Sequence, residues 1–165
     1  MSAGTEPLPI LEQRRIEAQV IKPIYDEMVA RLGVEAAQAI LGAAIEKAAI
    51  AQGKTFAEAS GGNLGIDGFA DIQRHWTAGG ALEIQEVDRS ADRFDFNVTR
   101  CRYSEMYREM GLGEIGHLLS CGRDGTFCQG FDPRITLERT QTIMGGAAHC
   151  DFRYRLEPEA AEAGT

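Results

Sequence analysis

The apolar residues of this chain change period at Gly79-Gly80, and that change limits the folds open to it. Before the pair they recur at helical spacing; after it they first alternate as in strands. Ile16, Val20, Ile24 and Met28 recur in four-residue steps, which predicts a helix that Pro23 kinks or restarts and Gly33 stops. Ala36, Ala37, Ile40, Leu41, Ala44, Ile45, Ala48 and Ala49 predict a second helix, whose alanines allow close approach to a neighbour, so it reads as a core helix. After the loop residues Ser60-Gly61-Gly62-Asn63, a short helix sets Phe69, Ile72 and the single tryptophan, Trp76, on one face.

Beyond the glycine pair, Leu82 and Ile84, then Phe94, Phe96 and Val98, alternate with polar residues, and Ser90-Ala91-Asp92 suits the turn of a hairpin. Helical spacing returns in Tyr103, Met106, Tyr107 and Met110 and again in Ile115, Leu118 and Leu119. Ile135 to Met144 and His149 to Leu156 then predict a second hairpin around Gly145-Gly146. Grouped strands, with helices before and between them, define an α+β architecture: N-terminal helices on an antiparallel sheet of about four strands. With 165 residues the chain reads as one domain, 1–157, followed by a frayed acidic tail, 158–165.

Charge narrows the partners. Asp and Glu number 25 against 17 Lys and Arg, a formal charge of -8, and no basic cluster offers itself to a polyanion or an anionic membrane surface. No apolar run approaches the roughly 18 residues of a membrane span, and no export signal opens the chain. The expected setting is cytoplasmic and the expected partner a small-molecule substrate, with a homodimer as a further expectation. In that compartment the four cysteines, Cys101, Cys121, Cys128 and Cys150, are expected as thiols.

Alternation sorts the candidate residues into faces. Asp95, Asn97, Thr99 and Cys101 fall opposite Phe94, Phe96 and Val98. His149, Asp151 and Arg153 fall opposite Cys150, Phe152, Tyr154 and Leu156, and Thr136, Glu138, Thr140 and Thr142 share one side of the third strand. With helices on the aromatic face, the polar face becomes either a pocket or an ordinary solvated surface. Cys101 lies between Arg100 and Arg102, whose charge favours a thiolate, and His149 is the available base, oriented by a carboxylate such as Asp95. Cys121 precedes a turn-like Gly122-Arg123-Asp124, whereas Cys128, His75 and His117 read as structural. A Cys150-His149 dyad requires a bulge. A divalent metal, zinc or manganese, is a further candidate, held by Cys101, Cys121, Cys150 or His149 with Glu105 or Asp124.

Three blocks carry a family resemblance: Asn97-Val98-Thr99-Arg100-Cys101-Arg102-Tyr103 with Glu105-Met106-Tyr107; Leu118-Leu119-Ser120-Cys121-Gly122-Arg123-Asp124; and Arg139 through Tyr154. Together they resemble the bacterial L-2-amino-thiazoline-4-carboxylic acid hydrolase family over nearly the whole chain, most strongly from Trp76 to Tyr154. That resemblance implies addition of water to the amidine carbon of a thiazoline ring and opening at sulfur, giving N-carbamoyl-L-cysteine. Cys101 then fills the role of nucleophile or water-orienting thiolate and His149 that of acid and base. Asp151 or Asp124 serves as amidine partner, and Arg102, Arg123 or Arg153 as carboxylate clamp. The run Gly146-Ala147-Ala148-His149-Cys150-Asp151-Phe152 is more faintly similar to the closing strand of 4-vinyl-reductase-type binding domains. Some of these hold zinc through cysteines, one of which is replaced here by Thr142. The rival expectation is therefore a non-catalytic small-molecule or metal sensor.

Overall fold

A computed structural model describes residues 6–159. From residue 160 on, the expected tail lies outside the described residues. Two long helices come first, α1 (Ile10–Leu32) and α2 (Val34–Ala59), followed by the short α3 (Gly65–Ile72) and α4 (Arg74–Thr77). Strands β1 (Leu82–Ser90) and β2 (Arg93–Cys101) form the first hairpin. Helix α5 (Arg102–Glu109), a π-helical turn (His117–Cys121), α6 (Gly122–Phe131), β3 (Ile135–Glu138) and β4 (Cys150–Leu156) complete the order. The sheet is antiparallel in the order β1-β2-β4-β3, so the expected α+β class and four strands are what forms. Among the described residues, no helix is long and apolar enough to cross a membrane.

Three expectations are corrected. Pro23 does not restart α1, which runs through it; Pro23 and Gln19, whose carbonyl loses its intrahelical partner, both lie on the exposed side, where solvent can reach that carbonyl. The four-residue stripe is also not the face that packs. Ile16, Val20 and Ile24 are 51%, 60% and 52% exposed, because the helix turns the face carrying Ile10, Arg14, Ala18 and Tyr25 onto the core. Gly122-Arg123-Asp124 is the first turn of α6, not a loop. Helix formation there is supported by the contact of α6 with α2: a Cβ on Gly53 would lie 2.2 Å from the Phe127 carbonyl oxygen, and one on Gly130 would lie 2.0 Å from that of Ile50. Finally, β3 ends at Glu138 and residues 139–149 form an irregular connection in place of a tight hairpin. The Asp151 carboxylate accepts from the Thr140 and Gln141 amides (2.9 and 3.0 Å), donors that a continued ladder would have used.

The core lies on one side of the sheet. Phe94, Phe96 and Val98 of β2 and Cys150, Phe152 and Tyr154 of β4 pack with Ile66 and Phe69 of α3 and Phe127 and Phe131 of α6. A second cluster joins α1, α2 and α5 through Ala18, Tyr25, Leu41, Tyr107 and Leu119. Trp76, Leu82 and Cys101 border both.

Candidate active site

A partly open pocket lies between the inner face of β2 and β4 and the helices. Its walls are aromatic, with Phe69, Trp76, Phe96, Phe127, Phe152 and Tyr154, and its polar groups are Arg14, Gln52, Gln73, Arg123 and Asp124. Phe96 and Phe152 stack at 4.9 Å with planes 10° apart. Such walls bury a small flat ring, and a few fixed polar groups orient it.

Each polar group is placed by a particular element. Arg14 points inward from α1 and is 3% exposed, its guanidinium donating to Glu17 at 3.0 Å and to Gln52 Oε1 of α2 at 3.0 Å. Arg123 and Asp124 enter from the first turn of α6, just after the π turn. Arg123 Nε donates to the Leu119 carbonyl within that turn (2.8 Å), and Arg139 Nη2 to the Cys121 carbonyl at its end (3.1 Å). Arg139 Nη1 donates to Asp124 Oδ2 at 2.7 Å, and its guanidinium stands 5.0 Å over the Phe152 ring.

Burial pushes the Asp124 carboxyl upward from its ordinary value; Arg139, and less strongly Arg14 and Arg123, pull it back without cancelling the rise. Arg123 is lowered by burial. Three guanidinium groups, of Arg14, Arg123 and Arg139, face two carboxylates, of Glu17 and Asp124, which leaves one positive charge over.

The sequence candidates divide between the two faces of the sheet. Register between β1 and β2 slips from Glu83↔Arg100 to Ile84↔Val98, which makes Thr99 a bulge residue. The bulge reverses the parity beyond it, so Cys101 turns to the core side with Cys150, away from His149, contrary to simple alternation. Its Sγ accepts from the Ser104 amide at 3.4 Å, and burial raises the thiol to about 11. Nothing turns toward the sulfur to favour the expected thiolate: Arg100 points outward to Glu105 (2.9 Å) and Glu83, and the Arg102 guanidinium reaches the Gly79 carbonyl. Glu105 is thus occupied on an exposed surface.

Cys121 is raised by burial to about 12, and Cys150, also raised, accepts from the Ile143 amide at 3.2 Å. Charge on any of these three thiols would be opposed by Asp124. On the outer face His149 meets the Gln141 amide nitrogen at 3.4 Å. Asp151 is taken up by Thr140 and Gln141, and Arg153 bonds Asn97 Oδ1 (3.0 Å) and the Phe96 and Phe152 carbonyls. Among the described residues, no three His, Cys, Asp or Glu side chains are grouped to hold a metal ion, so the proposed ligands Cys101, Cys121, Cys150 and His149 do not converge as a set.

Of the expected residues, then, Arg123 and Asp124 reach the pocket. Arg14 and Gln52, which also line it, and Arg139, which pairs with Asp124, were not foreseen. Arg14 carried one signal, a charged residue four before Ala18 on what proves to be the buried face of α1; Arg139 carried none beyond opening the third block of the resemblance.

Fold and pocket define an α+β protein with an aromatic-walled and cation-rich site between sheet and helices. The chain belongs to the L-2-amino-thiazoline-4-carboxylic acid hydrolase family, whose model matches residues 13–154. Membership supports a hydrolase reading. No curated protein sequence matches significantly. The phenol-responsive sensory domain of the transcription activator PoxR, solved with phenol, shares the fold at a TM-score of 0.54 and 14% identity, covering 83% of this chain and 73% of that one. A trafficking protein particle complex subunit 3 from Naegleria fowleri, covalently bound to palmitic acid, matches at 0.54 and 12% identity, covering 88% and 96%.

Proposed function

We propose that the protein hydrolyses a small cyclic amidine bearing one carboxylate, with L-2-amino-thiazoline-4-carboxylate as the leading substrate, and that the reaction takes place in the inner pocket. The observation that carries this reading is the surplus positive charge among buried arginines beside a carboxylate, Asp124, inside aromatic walls. The substrate carboxylate pairs with Arg14 or Arg123, whose planar forks suit it. The flat ring lies against Phe96 and Phe152, and Asp124 accepts from the amidine N–H groups.

Water then bonds to the amidine carbon, one of its protons passes to the ring nitrogen, the bond from that carbon to sulfur breaks, and the second proton reaches the departing sulfur as the carbonyl forms. N-carbamoyl-L-cysteine results, one water heavier than the substrate. In this reading Asp124, whose carboxyl burial raises above its ordinary value, relays the protons. Cys101 and Cys121, as protonated thiols, serve as neighbours of Asp124 and not as nucleophiles.

A second reading has an observation of its own. The aromatic wall and the fold shared with a phenol-responsive sensory domain suit binding without turnover. Mass-detected turnover of L-2-amino-thiazoline-4-carboxylate by the purified protein, with and without chelator, separates the two. Product from wild type and its loss in Asp124→Asn supports the hydrolase; saturable binding with no product supports the sensor.

A further inference from the structure

Glu17 is the one acidic group that ties the two pocket arginines together. It stands one turn after Arg14 on α1, and Arg14 Nη1 donates to both of its oxygens, at 3.0 and 3.1 Å. From the other side, Arg123 Nη2 of α6 donates to Oε2 at 3.4 Å. The two guanidinium groups are nearly covered, with side chains 4% and 11% exposed, whereas Glu17 is 40% exposed and stands behind them. Arg14 and Arg123 line the pocket; Glu17 does not.

Two guanidinium groups so close repel, and in a covered site that repulsion is weakly screened. A shared carboxylate between them removes much of the repulsion and fixes both forks in one orientation. It also lowers the charge presented to a ligand, since without it three cations would face Asp124 alone.

We propose that Glu17 is a positioning residue that sets the charge of the pocket, and so its selectivity for a ligand with a single carboxylate. The proposal rests on the reading of the pocket as the substrate site. Glu17 touches no reacting atom; it acts through Arg14 and Arg123.

The test compares wild type, Glu17→Gln and Glu17→Asp with two ligands, L-2-amino-thiazoline-4-carboxylate and 2-amino-2-thiazoline, which lacks the carboxylate. In Glu17→Gln the carboxylated ligand is expected to change its KM by about tenfold, with kcat within about threefold of wild type. Binding of the uncarboxylated ring, followed by calorimetry, should stay within about twofold. Glu17→Asp restores the KM at least in part. A parallel loss for both ligands, or a fall in kcat with KM unchanged, would overturn the proposal, as would full activity in Glu17→Gln. Circular dichroism and urea unfolding confirm that the variants fold; should Glu17→Gln fail to, Glu17→Asp and Gln52→Leu, which leaves the carboxylate in place, carry the comparison. Absence of binding and turnover in wild type would instead count against the pocket reading itself, before any variant is compared.

Discussion

The two faces of the sheet hold similar side chains in opposite circumstances. On the outer face, Asp95, itself buried, pairs with Arg155, Asn97 with Arg153, and the half-exposed Asp151 with Thr140 and Gln141, so that each polar group is satisfied by a neighbour. On the inner side, Arg14, Arg123 and Asp124 line a pocket with aromatic walls, and Arg139 pairs with Asp124 at its edge. The two aspartates show what enclosure changes. Burial acts upward on both, but at Asp151 the Thr140 hydroxyl and the Gln141 and Thr140 amides outweigh it, so that carboxyl ends below its ordinary value while Asp124 ends above. The same residue type is thus a loop anchor on one face and a proton-handling candidate on the other.

The contrast breaks most sharply at Asp124. Asp124→Asn is expected to lower turnover about a thousandfold, measured as product formed at saturating substrate. Arg153→Ala, across the sheet, should leave it within about twofold, and comparable losses in the two variants would erase the distinction. Next in size is the support for the inner face. Gly53→Ala puts a methyl group against the Phe127 carbonyl and, at 2.8 Å, the Phe131 amide, so urea unfolding should show a loss of about 2 kcal/mol or more, with reduced turnover because α6 carries Arg123 and Asp124.

Acidity sharpens the comparison further. With Asp124 raised, turnover that needs its carboxylate should fall on the acid side at a pH above the ordinary carboxylate range, and Asp124→Asn should abolish that limb. For stability the signs are opposite. A raised carboxyl contributes stability that is present below its unfolded value and is lost as pH rises through the folded one. The lowered Asp151 contributes stability that is present above its unfolded value and is lost as pH falls through the folded one. Urea midpoints across pH for Asp124→Asn and Asp151→Asn should therefore diverge from wild type in opposite directions. The smallest expected effect belongs to the thiols: Cys101→Ala should reduce turnover less than about tenfold, since a thiol held near 11 supplies almost no thiolate at neutral pH. A loss near that of Asp124→Asn would restore Cys101 as nucleophile.

Much of the fold was legible in residue spacing. The first hairpin turns at Ala91-Asp92, as Ser90-Ala91-Asp92 suggested, and the period change at Gly79-Gly80 marks where the helices give way to strand. The site was less legible, for three physical reasons. The bulge at Thr99 reversed the parity that had placed Cys101 beside His149. Helix α1 buries the face with Arg14 and Ala18 instead of its more apolar stripe, a choice made by α2 and by the partners Glu17 and Gln52. And Gly130, one of the glycines that make Gly122–Phe131 suggest a loop, stands where α2 passes too close for a side chain. Arg123 and Asp124 could be picked out beside Cys121; that they face inward depended on a helix their local sequence does not advertise.

The central claim, that the ligand enters the aromatic inner pocket, is tested most directly by the fluorescence of Trp76, the only tryptophan in the chain and part of that pocket's wall. Titration with L-2-amino-thiazoline-4-carboxylate should change its emission saturably in wild type and far more weakly in Arg123→Ala. Turnover or calorimetric binding with no response from Trp76 would place the ligand elsewhere and contradict the account.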